Sequence, residues 1–119
     1  MKKYTIIKPD PLLRNNLMAF GWQCGEGWYP LIEELLDKLQ EIENKQHIGL
    51  EITEIKEKYG GLRVYTNAGN DEIWDLIEKY ERRTNTICER CGKPGKLRNN
   101  HGWYTTLCDE CQAKESEEE

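Results

Sequence analysis

Cys88-Glu89-Arg90-Cys91, followed by Gly92, and Cys108-Asp109-Glu110-Cys111, separated from Cys91 by sixteen residues, decide how this chain is read. Two C-x2-C pairs at this separation have zinc-ribbon spacing. Each pair can chelate, two pairs can close a tetrahedron around one ion, and thiolate is a soft ligand that favours zinc. Gly92 allows backbone N–H groups to turn toward sulfur, as in a zinc knuckle. The second pair lacks such a glycine and predicts the start of a helical turn. Four protein ligands leave no position for water or substrate, so a structural Zn2+ is expected, one per chain. A redox C-x2-C pair fits less well because two matched pairs are present. A disulfide framework also fits poorly, since Cys24 makes the count odd.

Outward from the ribbon, 119 residues allow one compact domain or two very small ones. The formal charge is −5, and four thiolates around a dication would add about two more negative charges. A field of that sign disfavours duplex nucleic acid, although a local basic face could still hold a nucleotide. No segment is apolar enough to cross a membrane, and the N-terminus lacks the apolar stretch of a signal peptide. Reduced thiols and these absences predict a cytoplasmic protein.

Helical spacing of Leu31, Ile32, Leu35, Leu36, Leu39 and Ile42, after Pro30, predicts a long helix to about residue 45. Residues 3–8 are β-prone, and Pro11 could open a short helix through Leu12, Leu13, Leu17 and Met18. Ile48, Leu50 and Ile52 alternate as a strand does; the slip in phase to Ile55 predicts a bulge near Thr53. Gly60-Gly61 predicts a hairpin turn, with Tyr59 opposite Leu62 and Lys58 opposite Arg63. One face would then carry Ile55, Glu57, Tyr59, Leu62, Val64 and Thr66. The other would carry Lys56, Lys58, Arg63 and Tyr65. Asn70 reads as the N-cap of a second helix striped by Ile73, Leu76, Ile77 and Tyr80. The expected fold is α+β: a small antiparallel sheet with two main helices over residues 1–84, a C-terminal four-cysteine zinc ribbon over 85–112, and an acidic disordered tail over 113–119.

Four clusters could carry chemistry. The ribbon is the first, as a metal site. The hairpin face is the second: Lys56, Lys58 and Arg63 could meet a phosphate while Tyr65 stacks a ring, or the same residues could be a solvated sheet face. The third is the Gly-rich loop Phe20–Trp28, where Trp28 could cap a pocket or pack in the core. The fourth is the ribbon's inner loop, with Arg98 and Trp103, basic and aromatic as in ribbons that touch nucleic acid. No Walker, G-x-S-x-G, H-E-x-x-H or dinucleotide motif occurs, so no enzymatic activity is expected.

Cys24-Gly25-Glu26-Gly27-Trp28, the run Ile55-Lys56-Glu57-Lys58-Tyr59-Gly60-Gly61-Leu62-Arg63-Val64-Tyr65, and the ribbon Cys88-Glu89-Arg90-Cys91-Gly92 through Cys108-Asp109-Glu110-Cys111 together resemble a family of small, mostly uncharacterised proteins encoded by tailed bacteriophages and prophages. The match runs from about Phe20 to Cys111. The resemblance implies an accessory protein of the bacterial host cytoplasm with a counter-defence role. Such a protein would sequester a small nucleotide ligand, and the basic and aromatic clusters read above would line the site: Lys56, Lys58, Arg63, Tyr65, Trp28, Arg98 and Trp103. Two alternatives stay open: direct inhibition of a host defence protein, or binding of single-stranded nucleic acid. A homodimer is compatible with so small a binding protein.

Overall fold

The structure, a computed structural model, describes residues 4–117. Its elements are β1 (Trp22–Gln23), α1 (Tyr29–Gln46), β2 (Ile52–Lys58), β3 (Gly61–Thr66), α2 (Asp71–Arg83), β4 (Lys96–Asn100), β5 (Trp103–Leu107) and α3 (Asp109–Glu117). The class is α+β, with sheets of three and two strands and a C-terminal cluster of four cysteines.

Helix α1 starts with Pro30 in its first turn, where the missing N–H costs nothing, and buries Leu31, Ile32, Leu35, Leu36 and Leu39. It stops at His47, whose φ of 50° is left-handed and whose N–H donates to the Glu43 carbonyl. Asn70 caps α2 by accepting from the Ile73 N–H, and Ile73, Ile77 and Tyr80 face inward. These two stripes share one core with Ile52, Ile55, Leu62 and Val64 from the sheet. An aliphatic side chain fully withdrawn from water contributes about 1.5–3 kcal/mol before chain entropy is counted.

The hairpin has the predicted faces but not the predicted turn. Lys58 opposes Gly61, Glu57 opposes Leu62, Lys56 opposes Arg63 and Ile55 opposes Val64. The turn is therefore Tyr59-Gly60, with φ of 54° and 82°. Moving the turn back one residue shifts each partner by two, and a shift of two returns every side chain to the same face. Ile55, Leu62 and Val64 are thus buried as expected. The register slips between Ile52 and Glu54, which places the bulge at Thr53. β1 adds a short parallel strand beside β2, Trp22 meeting Ile55.

The outer edge of β3 is closed by α2. Glu81 Oε2 accepts from the Val64 N–H at 3.0 Å, and Thr84 Oγ1 accepts from the Leu62 N–H at 3.2 Å. Side chains thereby occupy donors that an incoming strand would need.

Three expectations are corrected. The described part of the 3–8 segment, from Tyr4, forms no strand. The Thr5 and Ile6 N–H groups donate to Gln40 Oε1 on α1, and only the Ile6 carbonyl meets the sheet, through the Ile52 N–H at 2.7 Å. No helix follows Pro11. The Asp10 carboxylate accepts from the Leu12, Arg14 and Asn15 N–H groups, competing with helical bonding, and Leu13 has φ of 57°. Of the residues expected in that helix only Met18 is helical, as the start of the 3-10 turn Met18–Phe20. The region assigned to an acidic tail is helical as far as Glu117: Asp109 and Glu110 sit at the positive end of α3, and Arg90 pairs with Glu115. Glu118 and Glu119 lie outside the described residues.

Candidate metal centre and the adjoining cleft

The knuckle is built by backbone. The Gly92 N–H donates to the Cys88 carbonyl at 2.9 Å, and Gly92 has φ of 82°, which a side chain would resist. β4 and β5 pair in register from Lys96–Leu107 to Asn100–Trp103, with His101-Gly102 as the turn. That hairpin delivers Cys108 to the knuckle, and α3 then brings Cys111 back.

The sulfur atoms of Cys88, Cys91, Cys108 and Cys111 all lie within 4.8 Å of one another. Cys91 Sγ and Cys108 Sγ are 3.6 Å apart, too far for a disulfide. Four thiolates 2.3 Å from one tetrahedral ion stand about 3.8 Å apart, so the cluster fits such an ion closely. Cys88, Cys108 and Cys111 are buried; Cys91 is exposed. Burial pushes the Cys88 thiol up, but donors from the Cys108, Cys91 and Arg90 backbone outweigh it and bring it down to about 6. Cys111, by burial and by its neighbouring thiols, is pushed up to about 12. A bound cation would favour thiolate at all four.

The knuckle is also a docking surface for the α+β part. The Gly27 N–H donates to the Glu89 carbonyl at 2.7 Å, the Gly25 N–H to Glu89 Oε2 at 2.8 Å, and Trp28 Nε1 to the Ile87 carbonyl at 2.8 Å. On the other side Thr106 Oγ1 donates to the Gly60 carbonyl at 2.6 Å, within a fully buried contact. The Glu89 N–H donates to the Thr106 carbonyl at 2.9 Å and ties the two docking points together. The glycine-rich loop and the hairpin turn are therefore both seats for the ribbon. Cys24, in the same loop, packs against the core; burial, then the Glu89 and Glu57 charges, push its thiol up to about 12.

Docking creates a cleft of 390 Å³ between the tip of the ribbon and the end of β2, lined by Lys56, Lys58, Tyr59, Trp103 and Tyr104, with Glu57 and Gly102. Trp103 is 70 % exposed and Tyr59 69 %. Among the described residues no carboxylate pairs with Lys56 or Lys58. Glu57 is engaged, accepting from the Gly60 N–H at 2.7 Å. Lys56 stands directly across from Arg63, a like-charge pair that disfavours the hairpin.

Of the residues singled out in the sequence, Lys56, Lys58 and Trp103 share this cleft. Arg63 lines a second one of 480 Å³ with Gly61, Arg82 and Asn85. Tyr65 lies apart, beside Leu13, Arg14 and Glu54. Trp28 is not at the surface: it is fully buried, its indole N–H spent on Ile87. Arg98 is 16 % exposed at its side chain; its Nε donates to the Leu107 carbonyl at 3.2 Å and its Nη2 to Asp109 at 2.6 Å. It braces the hairpin against α3. Tyr59 and Tyr104 were missed. Placing the turn at Gly60-Gly61 put Tyr59 on the core face; the sole hint was an aromatic adjoining a glycine that tolerates positive φ.

No helix among the described residues is long and apolar enough to cross a membrane. Comparison with protein-family models, with curated proteins and with solved structures returns no match to this chain.

Proposed function

We propose that this chain is a zinc-stapled, non-enzymatic binding protein whose cleft takes a small anionic ligand of the nucleotide class. The observation that carries it is the convergence of Lys56, Lys58, Tyr59, Trp103 and Tyr104 on one cleft. Ammonium groups that no carboxylate pairs among the described residues suit a phosphate, and exposed indole and phenol rings suit a base. Zinc is the ion proposed for the four thiolates, held by Cys88, Cys91, Cys108 and Cys111. Its place is structural: it holds the hairpin that carries Trp103 and Tyr104. The phage resemblance supplies the biological setting, in which holding a host nucleotide signal would blunt a defence response.

The test is native mass spectrometry of the zinc-loaded chain with ADP, alongside tryptophan fluorescence. A retained nucleotide mass and quenched emission, both lost in Trp103→Ala and Lys56→Ala, are expected. No retained mass and no quench at millimolar ADP would overturn the ligand class. A second reading, docking on a host protein, draws on the Asp10 loop, which holds Leu12 65 % exposed on a backbone fixed by three hydrogen bonds. Recovery of one stoichiometric bacterial partner that Leu12→Ser abolishes would favour it.

A further inference from the structure

Tyr59 occupies a position that a tyrosine should avoid. Its φ of 54° is left-handed, where glycine and asparagine are at ease and a bulky residue is strained. The ring repays little of this through burial, being 69 % exposed. Its one described side-chain contact of note is Lys58 Nζ, 5.6 Å from the ring centre. An asparagine here would relax the turn and an aromatic gains the fold almost nothing, so the ring's use lies outside the hairpin.

What the ring does is divide two clefts. On one side is the cleft of Lys56, Lys58, Trp103 and Tyr104; on the other is the larger one of Arg63, Arg82, Asn85 and Leu97, and Tyr59 lines both. The two differ in charge. The first offers two ammonium groups and one carboxylate already bonded to the turn. The second is balanced: Arg82 pairs with Glu78, and Glu81 is committed to the Val64 N–H. A balanced polar cleft is a poor phosphate site and a good site for a neutral ring with donors and acceptors on its edge. The exposed side-chain amide of Asn85 and the Arg63 guanidinium could read such an edge.

Resting on the nucleotide-class ligand proposed above, we infer that the site takes a dinucleotide unit, two bases joined through phosphate and laid across Tyr59. The phosphate and one base occupy the Lys56–Trp103 side. The backbone crosses the turn, and the second base lies against Tyr59 and Leu97 with its edge toward Asn85 and Arg63. The same unit could come free in solution or as part of a single strand.

The experiment titrates the zinc-loaded chain, followed by tryptophan fluorescence and calorimetry, with AMP, with 5′-phosphorylated diadenylate and with a ten-nucleotide adenylate strand. Diadenylate should bind about tenfold or more tighter than AMP. Asn85→Ala, at an exposed position outside the Lys56–Trp103 cleft, should erase most of that advantage while leaving AMP binding and the melting temperature in place. Tyr59→Asn, which eases the turn, should keep the melting temperature and weaken diadenylate more than AMP. If the strand binds as tightly as diadenylate, with affinity falling steeply as salt rises, a strand is the source; if the strand fails while diadenylate binds, the source is a free dinucleotide. Equal affinity for AMP and diadenylate, or diadenylate binding unmoved by both variants, overturns the two-cleft inference and leaves the nucleotide class standing. Failure of AMP and diadenylate alike overturns both.

Discussion

Gly27 donates its backbone N–H to the carbonyl of Glu89, one residue into the first metal-ligand pair, at 2.7 Å. A methyl group on Gly27 would overlap the Cys88 carbonyl oxygen, and the Glu89 backbone closes the other side. Both obstacles are main chain and cannot rotate away. The substitution Gly27→Ala should therefore separate loop from knuckle at a cost of about 3 kcal/mol, the scale of severe overpacking. Thermal or urea unfolding of the zinc-loaded variant reads this directly. A melting temperature within a degree or two of the parent would show that the two backbones do not meet. Gly21→Ala makes an informative contrast: its positive φ disfavours a side chain, yet nothing stands within 4 Å of the added carbon.

That contact would make a metal bound by the four cysteines more than a local staple. Ile87, Cys88 and Glu89 are the residues on which Trp28, Gly27 and Gly25 close, and Trp28 is a core residue of the α+β part. Chelation, or Cys91→Ser, should unfold the ribbon and also release this seam, because metal binding and folding are coupled. The expected signature is a changed near-ultraviolet circular dichroism spectrum together with faster hydrogen exchange at the Gly27 amide. If exchange rises at Gly92 but not at Gly27, the ribbon melts alone and the seam survives without metal.

Arg98 gives a prediction of the opposite kind, stability without recognition. Its guanidinium spans the Leu107 carbonyl and Asp109, the residues on either side of Cys108. Arg98→Ala should lower the melting temperature and weaken retention of any metal held by the four cysteines against a competing chelator, with a cost of about 1–3 kcal/mol for a part-buried charged donor. Nucleotide affinity of the folded, zinc-loaded variant should be unchanged. A variant as stable as the parent but unable to bind nucleotide would return Arg98 to the ligand site.

How much of this was legible in the sequence follows from the range of each signal. The faces of β2 and β3 were legible because alternation at Ile55, Leu62 and Val64 survives a turn misplaced by one residue. The gathering of Cys88, Cys91, Cys108 and Cys111 was legible because a potential chelating set depends on short local spacing. Residues 4–8 misled because their partners, Asp37 and Gln40, sit on α1; a β-prone segment whose donors are taken by side chains forms no ladder. Trp28 looked like a pocket residue because nothing local reveals that Ile87 accepts its indole N–H. The cleft was least legible. It exists because Thr106 docks on Gly60 and brings the 102–104 tip beside residues 56–59, a contact between segments whose compositions do not announce each other.

Glu43 tests the other end of the fold. Its carboxylate accepts from the Ile48, Gly49 and Leu50 N–H groups, gathering the donors left after α1 ends at left-handed His47. The bond from Leu50 contributes most to holding the carboxyl below its usual 4.5; partial burial works against it, and the Gly49 and Ile48 bonds and the His47 charge assist. A carboxyl whose folded pKa is depressed adds stability that is fully present above the unfolded value and is lost as pH falls through the folded one. Glu43→Gln keeps the size and an acceptor oxygen but removes the charge. The parent should melt higher than the variant at pH 7, and the gap should narrow once pH drops below about 4.5 and close at lower pH. Melting curves for both proteins from pH 7 to pH 3 read the trend. A gap that stays constant across that range would mean that shape, and not the ionised carboxylate, organises the loop from α1 to β2.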